Sequence, residues 1–217
     1  MILDFDLGYP RKLLYTDVKI PLPEKGVVSF IGDNGSGKST LYKTLLGIVP
    51  PQRGQVPSEL IERAAVVSDY VNIPGEVTVQ DLLNLLGKEK MQFAANQYPS
   101  LHEYILAFVS QRIYTLSSGQ RRIVEIYTVL ASGKTIIILD EAGNSLDFKN
   151  RQLFLSHVKS LASQNVLFFH TSHELEDVAF LKGIVYGLFK EEKKIEEYTG
   201  ECTTAKLREF LGYEVLA

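Results

Sequence analysis

The chain has 217 residues, 45% of them hydrophobic and 23% charged, with 23 Lys+Arg against 26 Asp+Glu and a formal net charge of -3. This is ordinary globular composition, enough for one full-sized core with an inserted lobe, and the slightly acidic balance offers no footprint for nucleic acid. The single Cys202 excludes an internal disulfide and a cysteine-only zinc site and suits a reducing cytoplasm. No stretch approaches the roughly 18 uninterrupted apolar residues of a membrane span, and the start, Met1-Ile2-Leu3-Asp4-Phe5-Asp6, is acidic where a signal peptide needs a basic run.

Ile2 to Leu7 alternates apolar and acidic residues, and Leu13 to Leu22 is a second strand-like run whose Pro21 and Pro23 suit an edge. Together they predict an antiparallel β lobe. Val27 to Ile31 is a short apolar strand that feeds Gly32-Asp33-Asn34-Gly35-Ser36-Gly37-Lys38-Ser39-Thr40, and helical spacing follows to Leu46. Gly32 through Ser39 satisfies the phosphate-loop template of Gly, four residues, Gly, Lys, Ser or Thr, which a chain of this length meets by chance roughly once in a hundred. Glycines there let backbone N–H groups crowd around phosphate oxygens, and the helix starting near Lys38 aims its positive end at the same anion. Lys38 is placed for the β- and γ-phosphates and Ser39 for Mg²⁺.

Gly47 to Pro57 reads as a connector that breaks helix, with a short antiparallel arm around Gly54 to Leu60, and Arg63 to Ser68 as a strand. Thr78 caps a helix that Gly87 stops, and the helical pattern continues to about Gln111 with a break at Pro99, which predicts a helical insert near 70–115. Ile136 to Leu139 and Val166 to Phe169 have the unbroken apolar character of central parallel strands, and the helical stretch Lys149 to Ala162 between them completes a βαβ unit. Lys182 to Phe189 and Lys193 to Tyr198 suggest two more strands, and Thr203 caps a last helix with Leu207, Phe210 and Leu211 on one face. The predicted class is α/β: a P-loop NTPase core with a parallel sheet, an N-terminal antiparallel β lobe and a short helical insert, in one domain spanning 1–217.

Asp140 and Glu141 end the Ile136 strand, where an open parallel sheet presents ligands. An Asp-Glu pair alone commonly just ends a strand in solvent. Beside a phosphate loop, Asp140 is placed to bind the Mg²⁺ shell and Glu141 to polarise the water that attacks the γ-phosphate. Leu116-Ser117-Ser118-Gly119-Gln120 opens a helix running to about Ala131, and the N–H groups of Ser118 and Gly119 beside Ser117 form a second anion nest.

These segments resemble, in order and spacing and over nearly the whole chain, the nucleotide-binding subunit of the ATP-binding cassette (ABC) family. The resemblance implies that Ser117 to Gln120, close to the family's Leu-Ser-Gly-Gly-Gln signature, faces the γ-phosphate held by a second subunit, so that two ATP molecules join a head-to-tail dimer. It also implies that Asn144-Ser145-Leu146-Asp147 is the loop crossing that interface, that His173 is the switch histidine contacting the γ-phosphate, and that Tyr9 stacks on adenine, with Tyr15 its nearby competitor. Two positions depart from the family. Asp69 stands where a Mg²⁺-sensing Gln is usual, and a carboxylate accepts from metal-bound water but cannot donate as an amide does. Ala142 replaces the proline that usually follows the glutamate.

The resemblance implies an ATPase subunit of an ABC transporter, cytoplasmic and peripheral on the membrane face, docked on separate transmembrane permease subunits. A soluble ABC-type ATPase acting on a cytosolic assembly, such as an iron-sulfur scaffold, is the alternative. A small-molecule kinase leaves the signature segment and His173 unexplained.

Overall fold

The structure, a computed structural model, describes residues 1–68, 73–143 and 146–213. It opens with β1 (Ile2–Tyr9), β2 (Lys12–Pro21), β3 (Gly26–Ile31), α1 (Lys38–Leu45), β4 (Arg53–Gln55), α2 (Ser58–Arg63) and β5 (Ala64–Ser68). Three helices follow: α3 (Val79–Leu86), α4 (Lys88–Gln97) and α5 (Pro99–Leu106). The second half holds α6 (Ser118–Ala131), β6 (Ile136–Asp140), α7 (Phe148–Ala162), β7 (Leu167–Thr171), α8 (Leu175–Leu181), β8 (Ile184–Phe189), β9 (Lys194–Tyr198) and α9 (Thr204–Phe210).

These strands form two sheets, one of order β2-β1-β4 and one of order β5-β6-β7-β3-β8-β9. The first is antiparallel, and the second is parallel except for β9. The expected α/β class, with its antiparallel N-terminal sheet, is therefore what forms. Proline-flanked β2 takes an edge, as its composition predicts.

Every residue of β6 and β7 is buried, because helices or the second sheet cover both faces. Side chains alternate between those faces. Ile137, Leu139 and Phe168 join a core with α6 and α7, whereas Ile136, Ile138, Leu167 and Phe169 join one with α1 and the antiparallel sheet. The same alternation assigns Asp140 and Thr171 to the α1 face. In the parallel ladder Asp140 lies opposite Thr171, and Thr171 opposite Phe30 of β3, so these three strands end at one level.

Local signals account for most helix boundaries. Thr78 and Asp81 form a reciprocal capping box on α3, Gly87 ends it, and Pro99 begins α5. The Gly47–Pro57 connector includes β4, which pairs with β1, and Ser58–Arg63 folds into α2 where only an arm is expected. The cause is tertiary: Leu60 is fully buried in the core under α1.

His170 of β7 points to the opposite face from Thr171 and lies buried with its Nδ1 3.3 Å from Ser29 Oγ. Burial, with the nearby Arg151 cation as a smaller cause, pulls its pKa down to about 4 from the ordinary 6.5. The unfolded chain thus binds more protons between those values, and the His170 contribution to stability falls as pH drops through that window. Chemical denaturation at pH 7.5 and pH 4.5 checks this. The stability difference between wild type and His170→Leu should move by about 2 kcal/mol in favour of the variant on acidification. A pH-independent difference would mean that His170 takes up its proton equally readily in the folded and unfolded chain, against the lowered pKa.

Candidate functional site

The phosphate loop leaves β3 at Ile31 and enters α1 at Lys38. Two glycines explain why this sequence turns there. Gly37 caps α1 at a left-handed φ of 106°, and a Cβ on Gly32 would stand 2.8 Å from Leu188 O of β8. Beneath the loop, the buried Tyr15 hydroxyl donates to Ser36 O, and burial pushes the Tyr15 pKa up to about 12. Ser36 Oγ is itself buried without a partner.

Lys38 is almost fully buried and curls back so that Nζ donates to Gly32 O at 2.8 Å and Asp33 O at 3.0 Å. Desolvation lowers its pKa, while the carboxylates of Glu141, Asp33 and Asp140 act the other way. A cation so poorly hydrated, with two carbonyls as its direct acceptors, suits an incoming polyanion.

The carboxyl edge supplies the acids. Asp140 Oδ1 accepts from Thr171 Oγ1 at 2.8 Å, and burial raises its pKa, against hydrogen bonds from Thr171 and Tyr42 and the charge of Lys38. Next to it, Glu141 has a left-handed φ of 51° and is the first residue beyond β6. Its N–H donates to Thr171 O at 3.1 Å and to Thr171 Oγ1 at 3.3 Å, and its Oε1 accepts from His173 Nε2 at 2.6 Å. Thr171, not visible as a site residue in the sequence, therefore orients both acids.

A cleft of about 300 Å³ joins these parts. Its walls are Tyr9, Lys12 and Leu14 from the antiparallel sheet, Asn34, Gly35 and Gly37 through Thr40 from the loop and α1, and Glu141 with His173 from the sheet edge. Tyr9 is 39% exposed whereas Tyr15 is fully buried, so only Tyr9 offers a ring face to this cleft. Asp33 lines a neighbouring hollow instead, and there the Tyr213 hydroxyl donates to its Oδ1 at 2.5 Å. Asp69, Asn144 and Ser145 lie outside the described residues. Among the described residues no three His, Cys, Asp or Glu side chains converge as a metal cage. The Ser39 hydroxyl and the Asp140 carboxylate are hard oxygen donors of the kind that hold a metal jointly with phosphate.

The signature segment does not line the cleft. Ser117 caps α6, with its Oγ accepting from Gln120 N and the Gln120 side chain accepting from Ser117 N, which leaves the Ser118 and Gly119 N–H groups at the helix start. Ser117 Oγ also donates to Asn150 Oδ1 at 3.0 Å, and Asp147 accepts from Asn150 N at 2.9 Å and Nδ2 at 2.6 Å. Asn150, not visible as a site residue in the sequence, thus ties Ser117 to Asp147 across α6 and α7.

Residues 15–144 match the family model described as ABC transporter. An uncharacterized ABC transporter ATP-binding protein of Haemophilus influenzae is 30% identical over 81% of this chain and 74% of its own length. The molybdate import ATP-binding protein MolC of the same organism is 29% identical over 91% of this chain and 81% of its own. Among solved structures, the ADP conformation of an ATP-binding cassette of an ABC transporter superimposes with a TM-score of 0.80 at 21% identity, covering 98% of this chain and 97% of that one.

Replacing the buried amine tests the cleft directly. Lys38→Ala should lower ATP hydrolysis by about a hundredfold or more without unfolding the chain, since the loop glycines and Tyr15 remain. Hydrolysis at the wild-type rate in a coupled-enzyme assay would remove the phosphate-loop assignment.

Proposed function

The chain belongs to the ABC transporter family, and within that family of ATPases we propose that it is the subunit that couples ATP hydrolysis to transport by closing and reopening a dimer. One observation carries the reading most directly: the phosphate loop and the Glu141–His173 pair, joined at 2.6 Å, line a single cleft.

In this reading Tyr9 stacks on adenine, and Gly32 through Thr40 cradle the phosphates with Lys38 over the β- and γ-oxygens. Ser39, Asp140 and Asp69 hold Mg²⁺, which when bound neutralises charge on the phosphate oxygens. Glu141 polarises the attacking water and takes up its proton, and His173 keeps the carboxylate oriented toward the γ-phosphate. The signature turn, absent from the walls of its own chain's cleft, serves the ATP of a second subunit, with Ser117, Ser118, Gly119, Gln120 and Asp147 at the contact.

The partners follow from the same reading. Among the described residues no helix is long and apolar enough to cross a membrane. Leu85, Leu106 and Tyr114 are exposed apolar residues on and beside the α3–α5 cluster, a surface suited to separate permease subunits at the cytoplasmic membrane face. The relatives named for molybdate, zinc and hemin import favour an importer over a scaffold ATPase.

Glu141→Gln should keep the shape of the site and lose the charge that polarises water, so ATP persists and holds two subunits together. Size-exclusion chromatography with ATP and Mg²⁺ should show a dimer of this variant, and adding Ser117→Arg should return it to monomer through a clash that exists only in the closed arrangement. A Glu141→Gln chain that stays monomeric at high concentration would count against self-pairing and favour a different cassette as partner.

A further inference from the structure

We propose that Arg122 is a positioning residue for Glu141, locking the backbone that carries this carboxylate onto the signature helix α6 of the same chain. Arg122 lies within the first two turns of α6, and its side chain is only 6% exposed. Its Nε donates to Ala142 O at 3.3 Å, and its Nη1 donates to Glu125 Oε2 at 2.7 Å. Glu125 is equally buried at 5% exposure. The guanidinium is a rigid planar fork, so pairing one nitrogen with Glu125 fixes where the Nε–H points.

The loop needs such an anchor. β6 ends at Asp140, so Glu141 and Ala142 stand beyond the named strand, and Glu141 adopts a φ that side chains rarely take. On its upstream side the turn is held by the bonds from Glu141 N to Thr171. On its downstream side the Ala142 carbonyl is held by Arg122. A proline at 142 would restrict that backbone by itself, whereas alanine leaves φ free. Arg122 supplies from a neighbouring helix the restraint that the residue lacks. Because Glu141 reaches His173 at 2.6 Å, a small displacement of the turn changes where the carboxylate meets water.

The link also has a direction. The Ser118 and Gly119 N–H groups and Arg122 belong to one rigid helix end, so a movement of that end on meeting phosphate reaches Glu141 through Ala142. This consequence rests on the proposed pairing of the signature with a second subunit's ATP. The anchoring of Glu141 does not.

Two variants of the full chain test it. Arg122→Lys keeps a cation beside Glu125 and removes the Nε donor. Arg122→Met with Glu125→Leu removes the whole pair without stranding a buried charge. Both should lower kcat by about tenfold or more while the Kd for a fluorescent ATP analogue stays within about twofold, the split expected when a group acts on the chemical step alone. Hydrogen exchange without nucleotide should speed at the Glu141 amide and stay unchanged along Val124 to Leu130. Unaltered exchange at Glu141, or a kcat within about twofold of wild type, would overturn the anchoring. So would kcat, Kd and unfolding midpoint all worsening together, which marks general loss of structure. The exchange measurement needs no hydrolysis, so it stands even where the dimer reading fails.

Discussion

Strands β3, β6 and β7 are buried on both faces and bonded in parallel, which leaves them little freedom to slide past one another. A slip of one residue would turn Leu139 toward α1 and Asp140 toward α6 and α7, stranding a carboxylate among aliphatic side chains. The register is therefore held by burial along the whole strand, and the site inherits it. Asp140, Thr171 and the start of the phosphate loop meet at one level because the apolar residues behind them interdigitate in only one alignment.

From that edge outward the restraints change character. Past Asp140 there is no ladder, and geometry depends on single hydrogen bonds from other elements. Thr171 serves both Asp140 and Glu141, and Arg122 reaches the Ala142 carbonyl. On the other side, Arg151 of α7 pairs with Asp177 of α8 at 2.8 Å, directly beneath Gly143, where a Cβ would come within 3.2 Å of the Asp177 carboxylate. The turn after β6 is thus gripped by α6, α7, α8 and β7 together. Each of these elements also contacts the hydrophobic core, so the polar turn is positioned by apolar packing at one remove.

What the sequence reveals follows from the range of the interactions concerned. The phosphate loop, the acids after Ile136–Leu139 and the capped signature helix are local patterns: glycines, an apolar run or a cap within a few residues of one another. Those segments appear in the structure with the expected strand or helix beside them. Thr171, Asn150, Tyr213 and Arg122 act on residues between 20 and 180 positions away, apart from Asn150's bonds to Asp147 and Arg122's to Glu125. Nothing nearby in the chain marks such partners. Tyr9 and Tyr15 are indistinguishable by residue type, and only burial separates the exposed ring from the one braced under the loop. Helix α2 was hidden for a similar reason, since a single buried leucine organises a six-residue segment that follows three prolines and two glycines.

Glu141 occupies a backbone conformation that glycine adopts freely and other residues adopt at a cost of about 1 kcal/mol or more. The fold thus carries a permanent local penalty at the carboxylate that accepts from His173. Selection for heat resistance alone would find relief there, because glycine at 141 releases the strain and leaves β6, Thr171 and the Ala142 anchor in place. Such a chain would be sturdier and would lack the carboxylate that meets His173. One torsion angle thus sets local stability against the presence of a carboxylate in the cleft.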